Sequence, residues 1–479
     1  MGANERPLPV ESCIDMSNRS PDGAARTYLY TAVVWLVVGV LSFALASAKL
    51  VEPGLLTTRM LSYGRLRAVA SISLQYGWLG LGGTAAIFYV LPRVTGVRMR
   101  SETSGIMAAL LLNLVVALGV LITLVVGTNG PEFSELPRYL DAALVVVLLL
   151  IAANVLRTAS KRTEPTLYVS VWHFCGAVIW APIAIALGNL PELGGVAGSI
   201  ASLFSINATL LVWFASAGLG ALYYLLPKAT EAPLFSHRLA MVGFWALAFL
   251  GPLTGQSRQV FGPSQDWLQT LSTAASIGLL IPALTTAINV FGTLRGSWSR
   301  LTSNPSVLYL VGGTLFFVAG IGQQILLSFR SVARFLGTTE IVTSGVWVFI
   351  FGALGLWTAG LVVFAFPRLM GHNWSSRLMV TAHFWLTTLG TLFLALSAWG
   401  SGLASAVVTN AGVVLDSPVS FGERFAIVAT SVAPFHSAAA LGAAVLAIGQ
   451  VLFAINLFRS TTMGAPRPIE IVTGGEVAA

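Results

Sequence analysis

Neutral imidazole is the commonest side-chain ligand for transition metals, and this chain of 479 residues holds five: His173, His237, His372, His383 and His436. No two are four residues apart, so no helix would present a pair on one face. Cys13 lies in a polar stretch and Cys175 in an apolar one; they form no CxxC motif and are not read as a pair. No nucleotide loop and no nucleophile–base constellation is visible. The polar groups inside apolar runs are few. Asp141 stands at the edge of one. Gln75, Gln323 and Gln324 read either as a hydrated path or as interhelical hydrogen bonds.

The elements that must position these residues are membrane helices. The chain is 56% hydrophobic and 9% charged, with mean hydropathy +0.83; a soluble domain carries about 25% charged residues. Its apolar runs are continuous, which excludes a membrane barrel. The length rule of about 20 residues per span gives roughly twelve, at 28–49, 68–92, 105–127, 139–157, 168–187, 200–226, 238–255, 268–292, 307–329, 341–366, 378–400 and 434–458. We therefore predict an all-α integral membrane bundle. It divides into a polar N-terminal tail at 1–27, one membrane domain at 28–458 and a C-terminal tail at 459–479, with a longer polar loop near 401–423. Frequent glycines inside the spans, among them Gly77, Gly80, Gly82, Gly83, Gly352, Gly355 and Gly360, are read as close helix packing. No repeat of fixed period stands out.

The net charge of +8 is read as membrane topology, with no nucleic acid as partner. Placing both termini inside puts roughly 17 Lys/Arg on the cytoplasmic side and roughly 9 outside. Lys49, Arg59, Arg65 and Arg67 break that trend in one outer loop. ALASA at 44–48 resembles a cleavage site, but the first span reads as uncleaved, because its apolar run is long and follows a polar tail.

Several stretches in matching order resemble subunit I of the haem-copper oxidase superfamily. They are similar above all to C-type, or cbb-type, cytochrome c oxidases, with the nitric oxide reductase large subunit as a relative. They are YGRLR (63–67), YYLLPKATEAPLFSHRLAMVGFWALAFLGPLTGQSRQ (223–259), QDWLQTLSTAASIG (265–278), INVFGTLRGSW (288–298), FPRLMG (366–371) and AHFWLTTLGTL (382–392). The resemblance implies a twelve-helix bundle, haem b and copper as cofactors, and six ligand histidines. Carried over residue by residue, the low-spin haem ligand of the second span falls on Ala70. The first copper ligand falls on Asn207. The His-His pair falls on Ser257 and Arg258, and the redox tyrosine on Gly251. The His-x-His that serves both haems falls on Gly345 and Trp347. With five histidines in the chain, no shift of register restores six.

The cofactor expectation is accordingly none, and no metal ligand is assigned. His173, near the outer start of the fifth span, His383 and His436 are the candidates for a relocated haem. Arg258 is a cation where the family places one; it reads either as a stand-in for copper, with Glu340 as candidate partner, or as a group facing an outer cavity or headgroups. Arg65 and Arg67 read either as contacts to an anion or as interfacial anchors. Trp347, Phe349, Phe351, Trp213, Phe214 and Trp245 are expected to fill the space of the haems. Three functions follow: a non-catalytic scaffold or regulatory partner of cytochrome-bearing or other respiratory subunits, a working terminal oxidase or nitric oxide reductase with relocated ligands, or a transporter on the same scaffold. The bilayer is the partner common to all three, in a multi-pass protein of a bacterial inner membrane.

Overall fold

A lipid interior offers the backbone no hydrogen bonds, so each N–H and C=O must find a partner within the chain. The computed structural model describes residues 22–128, 130–190, 194–414 and 420–466. These fold as helices; outside them the described residues hold only an isolated bridge between His372 and Pro466. The long helices are α1 (Gly23–Val51), α2 (63–95), α3 (Glu102–Val125), α4 (Arg138–Ser160), α5 (Val169–Gly188), α6 (Gly195–Thr230), α7 (His237–Gln259), α8 (Asp266–Leu294), α9 (Pro305–Ser328), α10 (Glu340–Met370), α11 (Arg377–Val414) and α12 (Phe421–Met463). Eleven are long and apolar enough to cross a membrane. The exception is α2, whose middle carries Ser71, Ser73, Gln75 and four glycines. It is continuous helix of the same length, buried along that stretch.

Two boundaries differ from expectation. Most of the polar loop near 401–423 is helix: α11 runs on to Val414 and α12 begins at Phe421. Ser420 caps α12 in a reciprocal box with Glu423, the arrangement that satisfies free N–H groups at a helix start. Helix α1 begins at Gly23, inside the predicted N-terminal tail, and α12 ends at Met463, inside the C-terminal one. Cys13 lies outside the described residues.

At the centre stands α10, whose apolar window is wholly buried. Helices approach it closely where glycine leaves room. A Cβ on Gly352 would stand 2.6 Å from Phe316, and one on Gly313 would stand 2.5 Å from the Trp357 ring. The Trp357 indole N–H donates to the Leu310 carbonyl at 3.2 Å, joining α10 to α9.

The structure also reveals a repeat that a search for short periods misses. Helices α2, α6 and α10 each contain a π-helical stretch: Ser73–Gly80, Ala208–Phe214 and Phe349–Leu354. Each ends in a proline followed by a cation: Pro92–Arg93, Pro227–Lys228 and Pro367–Arg368. Four residues beyond each proline the chain turns left-handed, at Gly96, Glu231 and Gly371. Five residues later comes a serine that starts the next helix: Ser101, Ser236 or Ser376. An asparagine two helices on then holds that serine's backbone. Asn154 accepts from the Ser101 N–H at 3.3 Å and donates to its carbonyl at 2.8 Å. Asn289 accepts from the Ser236 N–H at 2.9 Å. Asn456 accepts from the Ser376 N–H at 3.2 Å and donates to its carbonyl at 2.8 Å. One turn after each asparagine, the hydroxyls of Thr158, Thr293 and Ser460 accept from the N–H preceding those serines. The bundle is three copies of one helix unit, each pinned at the same end.

This clamp is directly testable. Asn456 is fully buried, so Asn456→Leu leaves the Ser376 N–H unpaired and its carbonyl with only the 3.4 Å bond from the Val380 N–H. At ~1–3 kcal/mol for a stranded group, the thermal midpoint of the detergent-purified variant falls clearly below that of the parent. An unchanged midpoint would show that the clamp does not carry stability.

Candidate functional site

The residues singled out by resemblance lie on the three π-bearing helices and on the end of α7. A π-turn adds a residue to the helical turn and is frequent at functional sites. Asn207 immediately precedes the stretch in α6, and Gly345 and Trp347 precede the one in α10. Ala70, fully buried, precedes the one in α2. Ser257 and Arg258 sit on a 3₁₀ segment, Gly251–Gln259, that closes α7. The structure brings Asn207, Ser257, Arg258 and Gly345 together around one cavity of about 60 Å³, which Gln323 and Gln324 of α9 also line. It does not bring in Ala70 or Gly251. Gly251 packs on Leu211 and Val212, and Trp347 faces a different space.

The polar groups of this cavity are largely engaged with one another. Gln324 donates to the Ser257 hydroxyl at 2.8 Å, and that hydroxyl donates to the Thr254 carbonyl at 2.7 Å. Gln323 donates to the Ile341 carbonyl at 3.1 Å. A Cβ on Gly345 would lie 2.6 Å from the Gln323 amide nitrogen, so that amide occupies the place a side chain at 345 would enter. Arg258 donates to the Asn207 side-chain oxygen at 3.3 Å. As a donor set for copper or haem iron these residues do not fit. A guanidinium is cationic and has no lone pair to offer, an amide and a hydroxyl are poor substitutes for imidazole, and the Asn207 oxygen is already taken.

The expected partner of Arg258 is otherwise engaged: Glu340 accepts from Ser401 at 2.8 Å and pairs with His436 Nε2 at 2.7 Å. Among the described residues, no carboxylate forms an ion pair with Arg258. The other two candidate haem ligands differ sharply. His383 has both ring nitrogens occupied, by the Tyr309 hydroxyl at 2.6 Å and the Gln450 amide oxygen at 2.7 Å. His173 is buried with no hydrogen bond on either nitrogen, its ring centroid 5.0 Å from that of Phe244 and 5.5 Å from that of Tyr223. It sits one turn from Tyr168, which contacts His237. That places it at the end of the bundle opposite Arg258, not near the outer end as expected, because α5 enters from the side where α6 leaves.

Trp347, Phe349, Phe351, Trp213 and Phe214 are buried as expected. Trp347 packs against Phe43 and Phe133 at centroid distances of 4.7 and 5.3 Å. Trp245 does not join them: it is 44% exposed and stacks on Phe249 at the bundle's outer surface. Nor is the filling complete. Beside Trp347 lies a cavity of about 500 Å³, reached by Tyr63, Arg67, Glu132, Glu340 and His436. A second, of about 410 Å³, runs from Glu132 and Thr343 to Arg258. These are the size of ligand pockets, and a retained or exchanged ligand has room there. The polar Gln75 donates to Ser71 at 2.7 Å and to the Phe133 carbonyl at 3.4 Å. Gln75 is thus bonded within α2 and to a loop, while Gln323 and Gln324 join α9 to α10 and α7; these bonds favour packing over a hydrated path.

The two arginines of α2 are both occupied. Arg65 donates to the carbonyls of Leu124 and Val126 at 2.6 and 3.0 Å, closing the C-terminus of α3. It is an anchor. Arg67 pairs with Glu132 and lies 3.6 Å from Glu135. Sequence reasoning passes over these two acids, although PEFSE at 131–135 is the acidic segment of the loop between α3 and α4 that meets Arg67. Glu135 is buried and accepts from Ser71 at 2.6 Å. Burial raises its carboxyl to about 7, against the opposing pull of the Ser71 hydroxyl and the Arg67 charge.

Comparison with known proteins agrees with this architecture. Residues 23–445 match the family model described as cytochrome C and quinol oxidase polypeptide I. The chain is 27% identical to cytochrome c oxidase subunit 1 of Rhodobacter capsulatus over 454 residues, which is 91% of this chain and 85% of the relative. It is 26% identical to the Cbb3-type cytochrome c oxidase subunit CcoN1 of Stutzerimonas stutzeri, covering 95% of this chain and 97% of the relative. A shorter match, 28% over 160 residues, joins it to a nitric oxide reductase polypeptide of the same organism, over 30% of this chain and 33% of the relative. Among solved structures, a heme-copper terminal oxidase dimer superposes with a TM-score of 0.72 at 15% identity, covering 94% of this chain and 85% of that one.

Glu135 predicts a pH dependence. Its folded value near 7 exceeds the ordinary 4.5, so between those limits the native state holds more proton than the unfolded chain. Stability contributed by this group is fullest below about pH 4.5 and declines as pH rises to about 7. Thermal midpoints measured from pH 5 to 8 should fall along this window, and Glu135→Gln should flatten the decline.

Proposed function

Because the chain belongs to the cytochrome c and quinol oxidase polypeptide I family, the subunit I family of the haem-copper oxidases, we propose that it keeps the family's membrane bundle without its haem and copper. On this reading it is a non-catalytic scaffold or regulatory partner in or beside a respiratory membrane complex, with 28–458 as one membrane domain. The observation that carries the reading is the cavity at Asn207, Ser257, Arg258 and Gly345. A guanidinium stands there among an amide and a hydroxyl, and Gln323 covers the glycine. The resemblance puts three copper-ligand positions, and one of the two residues of the His-x-His that serves both haems, at these four residues. Similarity to the Cbb3-type subunit along nearly its whole length favours the cbb-type branch. The relatives are bacterial and named as subunits, which supports a bacterial inner membrane and membrane-protein partners.

The rival reading is a working oxidase with a relocated haem, and His173 is the observation in its favour, since both its nitrogens are bare. Against it, none of the cavities described above is lined by His173, and the ring is enclosed by Phe244 and Tyr223.

The absorption spectrum and the iron and copper content of the purified protein decide between them. The expected outcome is no Soret band and less than one tenth of a metal ion per chain. A stoichiometric Soret band would overturn the proposal, and its disappearance in His173→Leu would identify the relocated ligand.

A further inference from the structure

We propose that the cavity at Arg258 and Asn207 is a binding site for a small monovalent anion, a halide or an oxyanion of a few heavy atoms such as nitrate or formate. The inference builds on the proposed absence of copper and haem, since it assigns the space to a different ligand.

Two side chains here hold donors that nothing uses. Arg258 has five N–H groups and no acceptor capacity. One bond is accounted for, to Asn207. Arg258 is half-buried, and no described carboxylate pairs with it, so among the described residues its charge is answered only by that amide oxygen. Asn207 is the second. Arginine can only donate, so the amide oxygen must face it, and the amide NH₂ is thereby turned to the other side. That nitrogen is buried and bonds to nothing, on a residue only 3% exposed. That nitrogen lies against Gly255, where a Cβ would stand 3.0 Å away, so the spare donors that line the cavity are those of Arg258. Nearby Ser257 and Gln324 satisfy each other and Thr254, and add no competing negative charge.

Size and access agree. A water needs about 10–15 Å³ of such volume, so about 60 Å³ admits an anion of roughly four heavy atoms and excludes a lipid headgroup or a nucleotide. Arg258 and Val342 also line the neighbouring 410 Å³ space with Ser199 and Ser202, which gives a polar approach to the guanidinium. The one carboxylate lining that approach, Glu132, is held by Arg67 and accepts from Thr343 at 3.0 Å.

The test uses the full chain in detergent, with iron and copper counted on the same preparation. Binding of radiolabelled chloride is measured by scintillation proximity, with nitrate and formate as competitors and gluconate as the bulky control. Thermal midpoints are recorded in the same salts at constant ionic strength. Saturable chloride binding, displaced at least tenfold better by nitrate or formate than by gluconate, is expected, with a matching rise in midpoint. Arg258→Gln should abolish both. Because that variant could misfold, Asn207→Asp provides the converse: it places a carboxylate against Arg258, and should raise the midpoint in gluconate while removing the response to chloride. A metal-free preparation with no saturable binding overturns this inference and leaves the proposed function standing. Stoichiometric copper, with anion binding lost on chelation while Arg258 is intact, overturns both.

Discussion

The bundle depends on one hydrogen-bonded device used three times. An asparagine deep in one helix grips the backbone of the serine that begins another, and a hydroxyl one turn away takes the preceding N–H. Asn154, Asn289 and Asn456 do this for Ser101, Ser236 and Ser376. In lipid there is no hydrophobic force between helices, so helix ends must be located by directed bonds and close packing. Each clamp fixes the level at which a π-bearing helix leaves the core. It therefore fixes the height at which Asn207, Gly345 and Trp347 face their neighbours. No cofactor takes part in it.

That separation between what holds the helices and what they display explains how the fold tolerates such unusual side chains. Three π-stretches follow the residues of interest in α2, α6 and α10, and π-turns cost backbone hydrogen bonding. They are a feature of the backbone and persist although the side chains beside them are Ala70, Asn207 and Trp347. The side chains have adapted in two different ways. Around Trp347 the adaptation is aromatic, with Phe43, Phe133 and Phe351 packed about it. Around Gly345 it is polar, with Gln323 laid over the glycine.

The bundle, its helix order and its family are legible in the sequence because apolar run length and the phrases ending in Pro-Lys and Pro-Arg report them directly. The aromatic filling is legible in kind. Trp245 departs from it because position on a span does not reveal which face a side chain occupies. The repeat escapes a reading of the sequence although LPR, LPK and FPR stand in plain view. Its unit is four helices long, and the asparagines that complete it lie two helices away from the turns they hold. The pairing of Arg258 with Asn207 rather than Glu340 is not legible at all. Glu340 is the acidic candidate that the sequence offers, but His436 and Ser401 reach it first in space.

Arg258 is the residue whose presence most constrains interpretation. Had the site merely decayed, an apolar side chain of similar volume would stabilise the bundle better than a half-buried cation held by one neutral amide. A lysine could shed its proton to escape the burden; an arginine cannot. The charge is permanent, and a permanent charge in a low-dielectric setting must be answered by something. The protein answers it with a single amide oxygen and with the two cavities that the guanidinium lines.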